Sequence, residues 1–201
     1  MKRTFFSTIS IAVSFLILTS CNNQKLEQYQ FTNENITIRL PKNYQAVTAD
    51  KLGSTDDKKL EQHRTNALVG SFYDLQRGDQ TLDILENEKG DFHYLILLNT
   101  SGSPVFNETT FSKLKNAQEH QYDLLMNDDA TIKIDLFDSK FEDLDSLSIV
   151  KMKHKFTIVS EDDHFFKTVF FINKSGKTII VHELNNSGTD SEEFLKTIMI
   201  K

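Results

Sequence analysis

The chain has 201 residues and a formal net charge of −6, from 23 Lys and Arg against 29 Asp and Glu. That balance argues against a nucleic-acid partner, because neutralising phosphates takes clustered cations. With 16 Phe, 7 Gly and 2 Pro, the composition describes one packed domain and excludes a disordered stalk.

The first 21 residues set the expected location. Lys2 and Arg3 precede an apolar run from Ile9 to Leu18, interrupted once by Ser14, and the run leads into Thr19-Ser20-Cys21. Crossing a bilayer as a helix takes about 20 apolar residues, so this shorter run reads as the hydrophobic region of an export signal. Cys21 is the only cysteine, and an exported protein that forms no disulfide leaves a single thiol to be explained. Leu18-Thr19-Ser20-Cys21 resembles the lipobox of bacterial lipoproteins. The resemblance implies removal of residues 1–20, a thioether-linked diacylglycerol on Cys21 and a further acyl chain on the new amino terminus. Two or three chains anchor firmly where one does not. Loss of Lys2 and Arg3 takes the formal charge from −6 to −8, so attachment is expected from the lipid and not from adsorption to anionic headgroups. The expected location is the bacterial cell envelope, anchored to a membrane and facing the periplasm.

Residues 21–30 comprise the lipidated cysteine and a polar, aperiodic stretch expected to be a flexible tether, which leaves 31–201 as a single domain. Within it, Asn35 to Leu40 alternates apolar and polar as a half-buried strand does, and Pro41 is expected to stop it. Residues 59–76 space Leu60, Ala67, Leu68, Phe72 and Leu75 as a helix would. Thr81 to Leu85 predicts a short strand, Glu86 to Asp91 a charged turn, and the apolar run from Phe92 to Leu98 a central strand covered on both faces. After a loop containing Pro104, Thr109 or Thr110 is expected to cap a helix to about Met126, with Phe111, Leu114, Ala117, Gln118, Gln121, Tyr122 and Leu125 along one stripe. Strands follow at 131–137, 147–159, 164–172 and 177–183. The connections Glu161-Asp162-Asp163 and Asn173-Lys174-Ser175-Gly176 are short, so the last three strands are expected to form an antiparallel meander. Thr189-Asp190-Ser191-Glu192 matches a capping box opening a terminal helix with Phe194, Leu195 and Ile198 inward.

Sequential strands with packed helices make an α+β domain. The order of elements, from "ITIRLPKNY" to "TIIVHELNNSGTDSEEFLKTIMI", resembles the PsbP-like fold, a group that includes PsbP, the Mog-type Ran-binding proteins and the DcrB-like envelope lipoproteins. The resemblance implies an antiparallel sheet sandwiched by helices, an α/β/α arrangement, and roles in binding or assembly more than in catalysis. No functional residue carries over, because no residue motif matches.

Few constellations carry chemistry. There is no G-x-S-x-G elbow, and Gly70-Ser71 and Ser101-Gly102-Ser103 lack the strand-to-helix setting of an activated serine. His182-Glu183 is followed by Asn186 where a zinc helix needs a second histidine. His154, His164 and His182 fall one on each strand of the expected meander and would approach a metal only if the registers brought them to one face. With Met152, Phe156 and Ile158, His154 belongs to an apolar face, so structural histidines are the simpler reading. The acidic residues from Asp138 to Asp145 lack the glycine of a calcium loop and read as solvated turns. Lys151, Lys153 and Lys155 alternate and must share a face, where they would either dock an acidic partner or headgroups, or discourage edge pairing.

These readings favour a lipid-anchored, non-catalytic envelope protein, with no cofactor, that binds or assembles an unknown protein partner at the membrane. A small-ligand or lipid-binding envelope module is the alternative, motivated by the phenylalanines and by apolar residues on both parities of Phe165 to Ile172. A metal-dependent enzyme is the third choice.

Overall fold

The computed structural model describes residues 25–31, 36–47, 83–87, 92–100, 105–160 and 163–200. The expected signal segment, Cys21 and the helix expected at 59–76 lie outside the described residues. The described elements are β1 (Leu26–Gln30), β2 (Ile36–Pro41), β3 (Tyr44–Val47), β4 (Asp83–Asn87), β5 (His93–Thr100), α1 (Glu108–Asp128), β6 (Ile132–Leu144), β7 (Leu147–Ile158), β8 (Asp163–Lys174), β9 (Lys177–Asn185), α2 (Glu192–Leu195) and β10 (Met199–Ile200). Among these, no helix is long and apolar enough to cross a membrane.

Seven strands form one sheet in the order β3-β4-β5-β9-β8-β7-β6, and β1-β2-β10 form a second. Every pairing is antiparallel. The expected meander is present and begins one strand earlier, at β6. Its last hairpin closes through Ser175 (φ 52°) and Gly176 (φ 75°) between the paired Lys174 and Lys177. Positive φ at both central residues is the type I′ geometry that follows the twist of the strands.

Alternation along the central strands splits their apolar residues between two cores. On one face Ile84, Ile96, Phe156, Phe165 and Leu184 pack with Ile134 and Tyr122 of α1, while Val150 and Met152 pack with Phe106, Phe111 and Leu114. On the other face Leu95, Leu97, Ile149, Phe170, Ile172, Ile179 and Val181 meet Ile36, Ile38 and Leu40 of β2 and Leu195 and Ile198. The two parities of β8 thus serve two cores. Phe165 and Val169 face α1, whereas Phe170 and Ile172 face the small sheet. The domain is an antiparallel α+β sandwich, with α1 over one face of the large sheet and the small sheet and α2 over the other.

Four local expectations change. The tether was expected to reach Gln30, but Leu26–Gln30 pairs with β2 along its whole length, with Leu26 opposite Pro41 and Gln30 opposite Thr37. The cap of α1 is Asn107, whose side chain accepts from the Thr110 amide at 2.9 Å; neither Thr109 nor Thr110 occupies that position. Residues 138–143 are not turns, because β6 continues through Leu144 after a bulge between Leu136 and Asp138. The capping box expected from Thr189 to Glu192 does not form, because the residue at the cap is Ser191 and not Thr189 and makes no side-chain cap hydrogen bond, and α2 is a single turn.

Candidate functional site

The face that meets the small sheet is apolar over one half and polar over the other. Along β7, Ile149 belongs to the apolar half, and Lys151, Lys153 and Lys155 follow at alternate positions. In the row through Lys153, the register sets Asp138 of β6, Lys153, Thr168 of β8 and Glu183 of β9 side by side. Above this row lie residues 186–191, the connection from β9 to α2, and Glu192, the first residue of α2. Its shape comes from Asn185, whose amide donates to the Thr189 carbonyl at 2.8 Å and whose oxygen accepts from the Gly188 amide at 2.9 Å. Gly188 takes a positive φ of 67° and lies so close to the Phe166 ring that a Cβ would stand 2.9 Å from it. Glycine is needed there for both reasons.

The connection delivers its carboxylates to the buried lysines. Lys151 Nζ stands 2.7 Å from Asp138, 2.9 Å from Asp190 and 3.2 Å from Glu192. Burial works against its charge, yet the three carboxylates outweigh that cost and raise its pKa above the usual lysine value. Asp190 is likewise opposed by burial and, held by Lys151 and Lys153, falls below the usual carboxylate range. Lys153 donates to the Gly188 carbonyl, reaches Asp190 at 3.4 Å and sits 5.5 and 5.4 Å from the ring centres of Phe137 and Phe166. Glu192 also forms an ion pair with Lys140 at 2.6 Å and lies 3.3 Å from Lys196, which bridges to Glu142 at 3.3 Å. Four lysines and their acids therefore staple β6, β7 and α2 together.

A second polar chain runs beside the first. Glu183, fully buried, accepts from the Ser191 amide at 3.0 Å, from the Ser191 hydroxyl at 2.8 Å and from His93 Nε2 at 2.6 Å. The other nitrogen of His93 lies 3.1 Å from the Tyr44 hydroxyl, and the Tyr44 amide donates to the Tyr29 hydroxyl at 3.2 Å. Acid, imidazole and hydroxyl thus stand in the order of a catalytic triad. The surroundings of the hydroxyl disfavour its anion. Burial, and next the Glu183 charge, push the Tyr44 phenol above its ordinary pKa, the opposite of activation. Ser191 bonds to the acid and not to the imidazole. The chain locks β3, β5, β9 and the α2 connection by hydrogen bonds.

No protein-family model matches this chain, and no curated protein matches it. Among solved structures it is similar to the solution structure of cyanobacterial PsbP (CyanoP) from Synechocystis sp. PCC 6803, with a TM-score of 0.53 and 10% identity, over 92% of this chain and 99% of that one. The fold is PsbP-like. At that identity the likeness concerns architecture alone.

Within this PsbP-like domain the residues singled out from the sequence have separate fates. Lys151 and Lys153 are buried, at 5% and 3% exposure, so the stripe expected to face outward is mostly an internal ion-pair network. The alternation was read correctly, but the layer that covers that face comes from the C-terminal connection, far along the chain. Lys155 alone of the three is partly exposed, opposite Asp135 of β6. The histidines do not converge. His154 and His182 lie on the face towards α1, whereas His164 pairs with Thr157 and lies on the opposite face. Among the described residues no three His, Cys, Asp or Glu side chains are placed to hold a metal. His154 is buried against the Tyr122 ring, 4.6 Å between centres, with neither nitrogen hydrogen-bonded. Burial, reinforced by Lys167, pulls its pKa down to about 4, and the same causes depress His182. Glu183, Ser191, His93 and Tyr44 escaped the sequence reading. The available signal was Glu183 itself, an acid at an inward parity position after Ile179 and Val181.

Proposed function

We propose that this chain is a lipid-anchored, non-catalytic protein of the bacterial cell envelope that binds or assembles a protein partner at the membrane. The observation that carries the proposal is Leu18-Thr19-Ser20-Cys21, with the only cysteine of the chain at the lipidation position. Two further features support it. The domain's first strand starts at Leu26, five residues after Cys21, and five residues span at most about 18 Å. A partner would therefore meet the domain against the bilayer. The charged side chains of the polar half neutralise one another, an arrangement suited to rigidity more than to turnover.

Cys21→Ser tests the anchor. The wild type is expected to incorporate labelled palmitate and to stay with membranes through carbonate washing, and the variant to lose both properties. Tight membrane retention of unlabelled Cys21→Ser would refute the lipoprotein reading. For the partner, cross-linking in intact cells followed by solubilisation is expected to yield a discrete adduct with another envelope protein, and its absence across several cross-linkers would count against assembly.

A further inference from the structure

Strand β6 is an edge of the large sheet, paired with β7 on one side and, among the described residues, with no strand on the other. It is 13 residues long, and long edges ordinarily carry devices against pairing, such as charges and bulges. Here those devices have a self-complementary layout. The bulge between Leu136 and Asp138 adds one residue, so the parity of the strand changes across it. As a result Lys133 and Asp135 before the bulge share a face with Asp138, Lys140 and Glu142 after it, all opposite odd-numbered residues of β7.

We propose that two copies of this chain pair through β6, antiparallel about a two-fold axis passing between Phe137 and Asp138. In this register Lys133 lies opposite Glu142 of the second copy and Asp135 opposite its Lys140, so two-fold symmetry gives four cross-strand pairs of opposite charge. On the other face Ile134 meets Phe141 of the second copy. The two bulges coincide at the axis, and each straight run faces the other copy's complementary run. Phe137, 59% exposed, lies at the axis and would be covered by the second copy. Neighbouring registers fail. A shift of two residues sets Lys133 against Lys140 in one direction and Asp135 against Glu142 in the other, and a shift of one sets the charged face against the apolar one.

The test exchanges two charges without altering the total. Lys133 and Asp135 form an exposed ion pair at 2.7 Å within β6, and Lys133→Asp combined with Asp135→Lys preserves that pair while reversing all four cross-strand pairs. Sedimentation of the full chain in density-matched detergent is expected to give a dimer for wild type, and a dimer dissociation constant raised about 30-fold or more for the exchange variant. Thermal melting by circular dichroism, at a concentration below the wild-type dimer dissociation constant so that both are monomers, is expected to be the same for both, which separates loss of pairing from loss of fold. A wild type that stays monomeric at about 100 µM, or an exchange variant that dimerises as the wild type does, would overturn the proposal.

Discussion

Lys151 is the residue on which the polar half of the sheet depends, because one ammonium answers Asp138, Asp190 and Glu192. Removing one partner of a buried ion pair leaves the others desolvated and uncompensated, at a cost of about 3 kcal/mol or more. Lys151→Met, which keeps the side chain's packing, is therefore expected to lower the urea unfolding free energy by about 3 kcal/mol. A loss within error of zero would show that the network contributes little beyond its packing. His154 supplies a pH dependence of known sign. Its folded pKa is about 4 against an ordinary 6.5, so as pH falls below 6.5 the unfolded chain takes up a proton that the folded chain refuses. Stability is lost through that window, by about 3 kcal/mol once pH reaches about 4. His182 acts in the same direction. Asp190, whose folded pKa is lowered, contributes stability present above the ordinary carboxylate pKa and lost as pH falls through the depressed one, so its loss comes at lower pH. His154→Phe is expected to flatten the decline between pH 6.5 and 4 in urea midpoints, and an unchanged slope would assign the decline to other groups.

Helix α1 and strand β6 illustrate what periodicity reports and what it conceals. The stripe expected on α1 is only partly inward: Tyr122 is buried and Phe111, Leu114 and Gln118 half-buried, whereas Ala117, Gln121 and Leu125 are exposed, as is Leu124 at 52%. A long helix held by so little buried surface should open more readily than the meander. Amide exchange is expected to be at least about tenfold faster in α1 than in β7 and β8, and equal protection would mean that the helix unfolds only with the whole domain. Its start depends on Asn107, and Asn107→Ala is expected to cost about 1 kcal/mol by the same unfolding assay. In β6 the pattern broke at the bulge: the apolar and polar positions exchange parity at Phe137, so the second half reads as a run of acids in a turn. The acids of that half are in fact ladder residues whose carboxylates answer Lys140, Lys151 and Lys196. Gly188 was equally hidden, since nothing local announces a tight approach to Phe166. Gly188→Ala is expected to destabilise the domain by about 2 kcal/mol, from the left-handed backbone and the ring contact together.

At the scale of the molecule, local sequence determined what needs only neighbours along the chain. The strand and helix types of most described elements, the meander, the terminal turn with Leu195 and Ile198 inward, and the α+β class with its PsbP-like order all follow from periodicity and turn chemistry, which act over a few residues. The lipobox proposed at Leu18-Thr19-Ser20-Cys21 rests on local sequence alone. Tertiary structure decided which faces are covered. Whether an alternating stripe of lysines meets water or carboxylates depends on a segment about 35 residues away in sequence folding back over it, and the fate of Glu183 depends on His93, 90 residues before it. Register decided the histidines, because a three-way convergence needs one face and β8 puts His164 on the other. Burial, pairing and register are properties of contacts between distant residues, and a single sequence carries the residues without carrying the contacts.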